Sequence, residues 1–240
     1  LNIYEMRILK LLKDIISPKK CYSCKQEWHF LCLKCLQECQ NFESQCYVCK
    51  NPSKDFEIHS DCQEGLFYKK VILLTHYKNP VIKKLITDGK FYKKKDIFED
   101  FWKYLTKLLI KYEKDVNNNN TLIVPVPTHF LRRWKRWYNQ SELLCKEIVN
   151  RTGLEYIPNL LIKNKSTRQQ SKVGKKYRQE NLENSFEFNK KHRDNIDKIK
   201  NKKIILVDDV ISTWTTFNEA SKILYKAGFT DITCLVIASD

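Results

Sequence analysis

The chain has 240 residues and carries 44 Lys and Arg against 28 Asp and Glu, a formal charge of 44 − 28 = +16. Its 42% hydrophobic content, with 12 Phe and 12 Tyr, is enough to bury one good core and excludes intrinsic disorder. No stretch approaches ~18 consecutive apolar residues, which excludes a hydrophobic membrane span. Lys10, Lys13 and Asp14 interrupt the apolar N-terminal segment, so a secretory signal is not expected and the predicted location is the cytoplasm.

Two counts stand out. Glycine occurs 5 times, where roughly 17 would be typical of this length. Tryptophan also occurs 5 times. The charge by itself points to nucleic acid, because clustered cations release counterions from phosphates. Lys, Asn and Ile are abundant throughout, however, as an AT-rich genome produces without selection for binding. The one Met, Met6, reads as the initiator if Leu1 is not itself an alternative start.

Residues 1–20 are predicted to form a helix. Eight of the ten cysteines then fall between positions 21 and 62, and Cys145 and Cys234 stand apart. They come as Cys21-x-x-Cys24, Cys32-x-x-Cys35, Cys46-x-x-Cys49 and His59-x-x-Cys62, with Cys39 left over as a free thiol. Each CxxC turn places two thiolates on one tight bend, and two bends supply the four tetrahedral ligands that zinc prefers. A cytosolic chain keeps such thiols reduced, which favours metal over disulfides. The simplest partition is Cys21, Cys24, Cys32 and Cys35 on one ion, with Cys46, Cys49, His59 and Cys62 on a second. An interleaved pairing, first with third and second with fourth, satisfies the spacing too. Both sites read as structural, and residues 21–64 form a double zinc-ribbon-like unit that depends on metal to fold. His29, His76, His129 and His192 carry no ligand spacing.

From residue 65 the texture changes, and 65–240 read as a second domain without internal repeats. Residues 71–74 and 81–86 predict strand and helix pieces, and Phe98, Phe101, Leu105, Leu108 and Leu109 give 95–114 a helical period. After a polar loop at 117–120, residues 121–127 predict a buried strand. Residues 140–151 predict a helix, 203–207 a second buried strand, 217–227 a helix capped by Gly228, and 231–238 a last strand. Strands alternating with helices predict a parallel α/β sheet.

The chemistry concentrates in Ile204-Ile-Leu-Val-Asp-Asp-Val-Ile-Ser-Thr-Trp-Thr-Thr-Phe217. A buried strand ending in two carboxylates, then a hydroxyl-rich loop opening a helix, sets acids beside a phosphate-sized nest of backbone N–H groups. The alternative is a solvated Asp-Asp turn that merely caps a helix. Farther back, the basic run 132–136, broken by Trp134, suits a polyanion or else a solvated charged face.

These residues resemble the phosphoribosyl diphosphate (PRPP) loop of type I phosphoribosyltransferases. More narrowly, the chain resembles the ComF/GntX family, competence-associated proteins with a zinc-ribbon head on a phosphoribosyltransferase domain. Four further segments carry the likeness: the cysteine-rich head; Tyr77-x-x-Pro80 through Ile86 to Lys90-Phe91; Val124-Pro-Val-Pro127 with Arg132, Arg133 and Arg136 to Gln140; and Thr167, Gln170, Arg178, Asn181 and Phe186. The resemblance implies a type I phosphoribosyltransferase-like parallel sheet flanked by helices. It implies that Asp208 and Asp209 contact the ribose hydroxyls and Mg²⁺, and that Ser212, Thr213, Trp214, Thr215 and Thr216 line the 5′-phosphate loop. Arg132, Arg133 and Arg136 correspond to the pyrophosphate-contacting region. Residues 167–181 correspond to a loop that covers such sites, with Arg178 as its charge partner; in an active enzyme Asp208, Asp209 and Arg178 would be the catalytic set.

The tryptophans depart from that pattern. Trp214 and Trp137 stand where the family has glycine, Trp28 stands where a knuckle turn suggests glycine, Trp134 is a further candidate, and Trp102 is undecided. A phosphate loop needs glycine for positive φ and close backbone approach. Two readings fit: UGA codons decoded as glycine in the source organism and translated here as tryptophan, or a degenerate site that has kept only the fold. A UGG codon at position 214 would rule out the first.

Three functions remain in play. The first is a cytoplasmic accessory of natural transformation that binds PRPP-Mg and single-stranded DNA and meets proteins of the uptake machinery. Phe67-Tyr-Lys-Lys70 and Lys90-Phe-Tyr-Lys-Lys-Lys95 would stack bases and contact phosphates, unless they are core aromatics beside solvated lysines. The second is an active phosphoribosyltransferase displacing pyrophosphate from PRPP with a nitrogen base. The third is a non-catalytic zinc-ribbon interaction module, since fold does not fix function.

Overall fold

The computed structural model describes residues 12, 15–40, 43–91, 94–117, 119–128, 138–164, 185–211 and 214–239. Of the predicted helix at 1–20, residues 12 and 15–20 are described: 12, 15 and 16 are helical, whereas 17–20 are not, and Lys20 instead bridges to Glu27.

Five strands form one parallel sheet: β1 (Lys70–His76), β2 (Thr121–Pro125), β3 (Glu155–Tyr156), β6 (Lys203–Ile211) and β7 (Ile232–Ser239), in the order β1-β7-β6-β2-β3. All eight residues of β7 are buried, as are Ile204, Ile205, Leu206 and Val207 of β6. Such continuous apolar runs are what a sheet covered on both faces requires. The covering helices are α2 (Pro80–Phe91), α3 (Asp96–Tyr112), α4 (Gln140–Thr152) and α6 (Trp214–Lys226). On α3, Phe98, Phe101, Leu105 and Leu109 of the predicted period are buried, and Leu108 is half-buried against the same core. Gly228 ends α6 at φ +103, donating its N–H to the Tyr225 carbonyl at 2.9 Å. A small antiparallel pair, β4 (Leu161–Lys163) with β5 (Phe186–Phe188), and a one-turn helix α5 (Ile196–Ile199) complete the described chain there.

Two boundaries differ from expectation. The strand expected at 203–207 runs on to Ile211, because β7 lies alongside and pairs with Asp208, Val210 and Ile211. The following helix begins at Trp214, three residues before the predicted start.

The cysteine-rich segment packs directly onto the sheet unit. Leu31 and Leu36, the latter on α1 (Leu33–Cys39), are buried in the same apolar core as the strands. Across this junction Asp100 accepts the Phe30 N–H at 2.6 Å, and Tyr104 donates to the Leu31 carbonyl at 2.9 Å. Thr75 donates to the Cys39 carbonyl at 3.0 Å, and Gln40 donates to the Leu74 carbonyl at 3.1 Å. From α6, the Asn218 side chain accepts the Phe67 N–H and donates to the Gly65 carbonyl, fixing the start of the sheet unit.

Candidate ligand and metal sites

The acid pair sits in the C-terminal half of β6, not beyond it. Alternation along a strand sends neighbouring side chains to opposite faces, so the two carboxylates meet different partners. Asp208 accepts the Ser141 hydroxyl at 2.8 Å and the backbone N–H of Asp209 at 2.9 Å. Asp209 faces the Lys90 ammonium, which lies 2.8 Å from its Oδ2. That oxygen is buried and receives no hydrogen bond in bonding geometry. Burial, and next the charge of Asp209, push the Asp208 carboxyl up to about 6.

Ser141 is held by the start of α4. Asn139 is its N-cap, and the Asn139 side chain accepts the Ser141 N–H at 3.2 Å. The same side chain accepts the Thr128 hydroxyl at 3.1 Å and donates to the Val126 carbonyl at 3.4 Å. Thus Asn139 ties the chain just past β2 to the start of α4, where Ser141 meets Asp208.

The cysteine pairs converge as two separate groups, Cys21, Cys24, Cys32 and Cys35, and Cys46, Cys49, His59 and Cys62. Within each group the ligand atoms lie within 4.8 Å of one another, so each could hold a metal ion. The Cys24 and Cys32 sulfurs are 3.6 Å apart, and Cys49 Sγ lies 3.3 Å from His59 Nδ1. Tetrahedral thiolates on Zn²⁺ would be ~3.8 Å apart, given bonds of about 2.3 Å. His59 Nε2 can only donate to the Pro52 carbonyl, 3.1 Å away, which leaves Nδ1 of the neutral ring free to ligate. The sequential partition, not the interleaved one, is the arrangement these residues adopt.

Both knuckles are built by one hydrogen-bond pattern. In the first, Cys21 N–H reaches the Gln26 carbonyl and Lys25 N–H reaches the Cys21 carbonyl. In the second, Cys46 N–H reaches the Asn51 carbonyl and Lys50 N–H reaches the Cys46 carbonyl. Matching antiparallel bridges, Lys20 to Glu27 and Gln45 to Pro52, close the two turns. The second pair of each group opens a helical turn: Cys32 caps α1, and His59 caps a short 3-10 turn ending at Cys62. Although the sequence shows no repeat, the backbone makes one device twice. Burial would raise the leading thiols, yet backbone N–H groups hold Cys21 at about 6, with those of Cys32, Cys24 and Ser23, and Cys46 at about 7, with those of Cys49, His59 and Val48. In the same groups burial pushes Cys35 up to about 12 and Cys62 up to about 11, so each group sets a lowered thiol beside a raised one.

Competence protein F of Haemophilus influenzae is 28% identical to this chain over 226 residues, spanning 89% of this chain and 93% of that protein. The chain is a homologue of competence protein F. DNA utilization protein YhgH of Escherichia coli K12 is 23% identical over 225 residues, covering 88% and 92% of the two chains. No family model matches the chain. The structure of an allosteric regulatory enzyme of purine biosynthesis aligns with 55% of this chain and 24% of its own, at 20% identity and a TM-score of 0.33.

In this homologue of competence protein F, several expected site residues fall outside the described residues: Arg132, Arg133, Arg136, Arg178, Ser212 and Thr213. Trp214 is the first residue of α6, with Thr215 and Thr216 following, but the Trp214 side chain is likewise outside the description. Two aromatic-basic stretches read differently in three dimensions. Phe67 packs on Tyr225 with ring centroids 5.4 Å apart, Lys70 lies 3.3 Å from buried Glu113, and Lys90 faces Asp209. These lysines are engaged inside the molecule.

Trp28 and Trp102 separate the tryptophan readings. Trp102 is buried on α3 with the Arg151 guanidinium 4.9 Å from its ring centroid, an ordinary place for an indole. Trp28 is 58% exposed and sits at φ +75, a conformation natural to glycine and an outlier for a bulky side chain. Sequence reasoning gave Ser141 and Tyr138 no role and left Lys90 as part of a motif. Ser141 was findable as the first hydroxyl after the Asn-Gln pair; the others depend on contacts between distant segments.

Proposed function

We propose that the chain binds magnesium-complexed PRPP at the C-terminal edge of β6 and serves in the cytoplasm as an accessory of DNA uptake that handles single-stranded DNA, on a head stabilised by two zinc ions. The observation that carries the ligand reading is the pair of adjacent carboxylates Asp208 and Asp209, the latter buried and facing Lys90 at 2.8 Å, with α6 starting three residues after β6 ends. Hard divalent cations take carboxylate oxygens, and a helix N-terminus accepts phosphate. The donor set therefore fits Mg²⁺, which when bound would neutralise charge on the diphosphate. Asp208 and Asp209 would hold the ribose hydroxyls and the cation, Ser141 would orient Asp208, and the start of α6 would take the 5′-phosphate. The names of both relatives, one a competence and one a DNA utilization protein, favour the transformation role over nucleotide metabolism.

Calorimetric titration of Mg²⁺–PRPP into this chain and its Trp214→Gly form tests the pocket. Binding is expected only in the glycine form; binding by both would retire the codon reading, and binding by neither would leave the non-catalytic interaction module. At pH 5 the affinity should be about tenfold weaker than at pH 7, because a carboxyl near 6 must ionise first. The folded Asp208 value lies above its ordinary 3.8, so its contribution to stability is full below that value and is lost as pH rises through about 6.

The single-strand reading rests on a groove of about 650 Å³ between the first knuckle and α2, lined by Lys20, Lys25, Lys84 and Lys94 around Tyr22. Asp88 is the one acid in that lining. Filter binding of a single-stranded oligonucleotide should weaken steeply with salt, and Lys84→Glu with Lys94→Glu should flatten the log–log slope by about 1.4. An unchanged slope would place the strand elsewhere.

A further inference from the structure

The last turn of α2 is fixed by three separate parts of the molecule at three successive residues. Asp88 accepts the Tyr22 hydroxyl at 2.7 Å, and Tyr22 lies inside the first cysteine knuckle. Gly89 gives its carbonyl to the Tyr138 hydroxyl, and Tyr138 immediately precedes the Asn139 cap of α4. A Cβ at Gly89 would meet the Phe98 ring at 2.5 Å, so only glycine lets the turn seat here. Lys90 then reaches Asp209 from a position where its side chain is 18% exposed and that of Asp209 is 9% exposed.

A lysine placed this firmly on one of two ligand carboxylates is not a solvated surface charge. It neutralises the acid that a ligand-bound cation would use, yet it leaves Oδ2 without an aligned hydrogen bond. Resting on the PRPP reading above, we infer that Lys90 exchanges partners: it balances Asp209 in the free protein and turns to the ligand's diphosphate when magnesium takes the carboxylate. The chemistry is favourable at both ends, because an ammonium is a compact, flexible phosphate donor and a divalent ion is a stronger partner than an ammonium for the Asp209 carboxylate. No bond is made or broken; two ion pairs replace one.

The test uses Lys90→Met and Lys90→Arg in whichever parent form binds Mg²⁺–PRPP, with circular dichroism and zinc content showing that each variant is folded. Calorimetry should show Lys90→Met losing at least tenfold in affinity for Mg²⁺–PRPP, with Lys90→Arg recovering part of it. Mn²⁺ alone, followed by its paramagnetic resonance signal, should bind Lys90→Met several-fold more tightly than the parent. Unchanged or improved Mg²⁺–PRPP binding by Lys90→Met overturns the exchange, as does unchanged Mn²⁺ affinity. If neither parent form binds Mg²⁺–PRPP, the pocket reading fails and takes this inference with it.

Discussion

Replacing Cys46 with Ser is expected to halve the zinc content, from two ions to one per chain, and to unfold the second knuckle. The knuckle has little apolar core of its own: Phe56 and Ile58 are buried, but Val48 is 48% exposed. Metal binding must therefore supply most of its folding free energy, and about 10 kcal/mol or more is typical of structural zinc in short peptides. That loss is comparable to the whole stability of a typical domain, about 5–15 kcal/mol. The first site should respond more widely when Cys21 is replaced, since Leu31 and Leu36 stand between it and the core of the sheet. Colorimetric zinc release alongside limited proteolysis of residues 21–62 would check both. Wild-type protein purified without zinc, yet protease-resistant through that segment, would refute the proposal.

Glu113→Ala is expected to cost about 3 kcal/mol. Glu113 ends α3, and its carboxylate, 3% exposed, receives Lys203 at 2.5 Å and Thr233 at 2.8 Å with Lys70 at 3.3 Å. Lys70, Lys203 and Thr233 lie at or near the N-terminal ends of β1, β6 and β7, so one carboxylate gathers three neighbouring strands. Removing it leaves two largely buried ammonium groups facing each other, the costly way to break such a cluster. The lysines retain 11% and 16% exposure, which holds the estimate at the low end of the usual range. Burial alone would raise the Glu113 carboxyl, but Lys203, Thr233 and Lys70 outweigh it and hold it below its ordinary 4.5. Its stabilisation is thus present above that value and is lost as pH falls through the lowered one. Urea unfolding at constant zinc should show the midpoint drop by about 1 M at pH 7. A drop as large at pH 7 in Glu113→Gln would locate the effect in charge, and no drop in either variant would refute it.

Much of this was legible in the chain because the signals were local. The cysteine pairs announce their turns by spacing, and the run from Ile204 to Phe217 announces strand, acids and helix within fourteen residues. The place of Asp208 and Asp209 inside β6 was not legible, because it is decided by how far β7 extends beside it. Lys90 with Asp209, and Glu113 with Lys203, join segments about a hundred residues apart, and nothing in either segment alone marks the partner. The short strands β3, β4 and β5 escaped prediction for a different reason: two or three residues are too few to show a period.

If the proposed zinc and ligand sites are both filled, the pinned turn at 88–90 would link the two binding events. Tyr22 belongs to the first cysteine knuckle and Lys90 to the proposed ligand pocket, and their contacts on α2 are separated by two peptide units. Any coupling carried by that turn would be reciprocal, so the effect of each event on the other would be equal. On the proposed function, a bound ligand would change zinc affinity by the same factor with which zinc changes ligand affinity, and oxidation of the first cysteine group would be felt at the sheet edge as altered ligand binding.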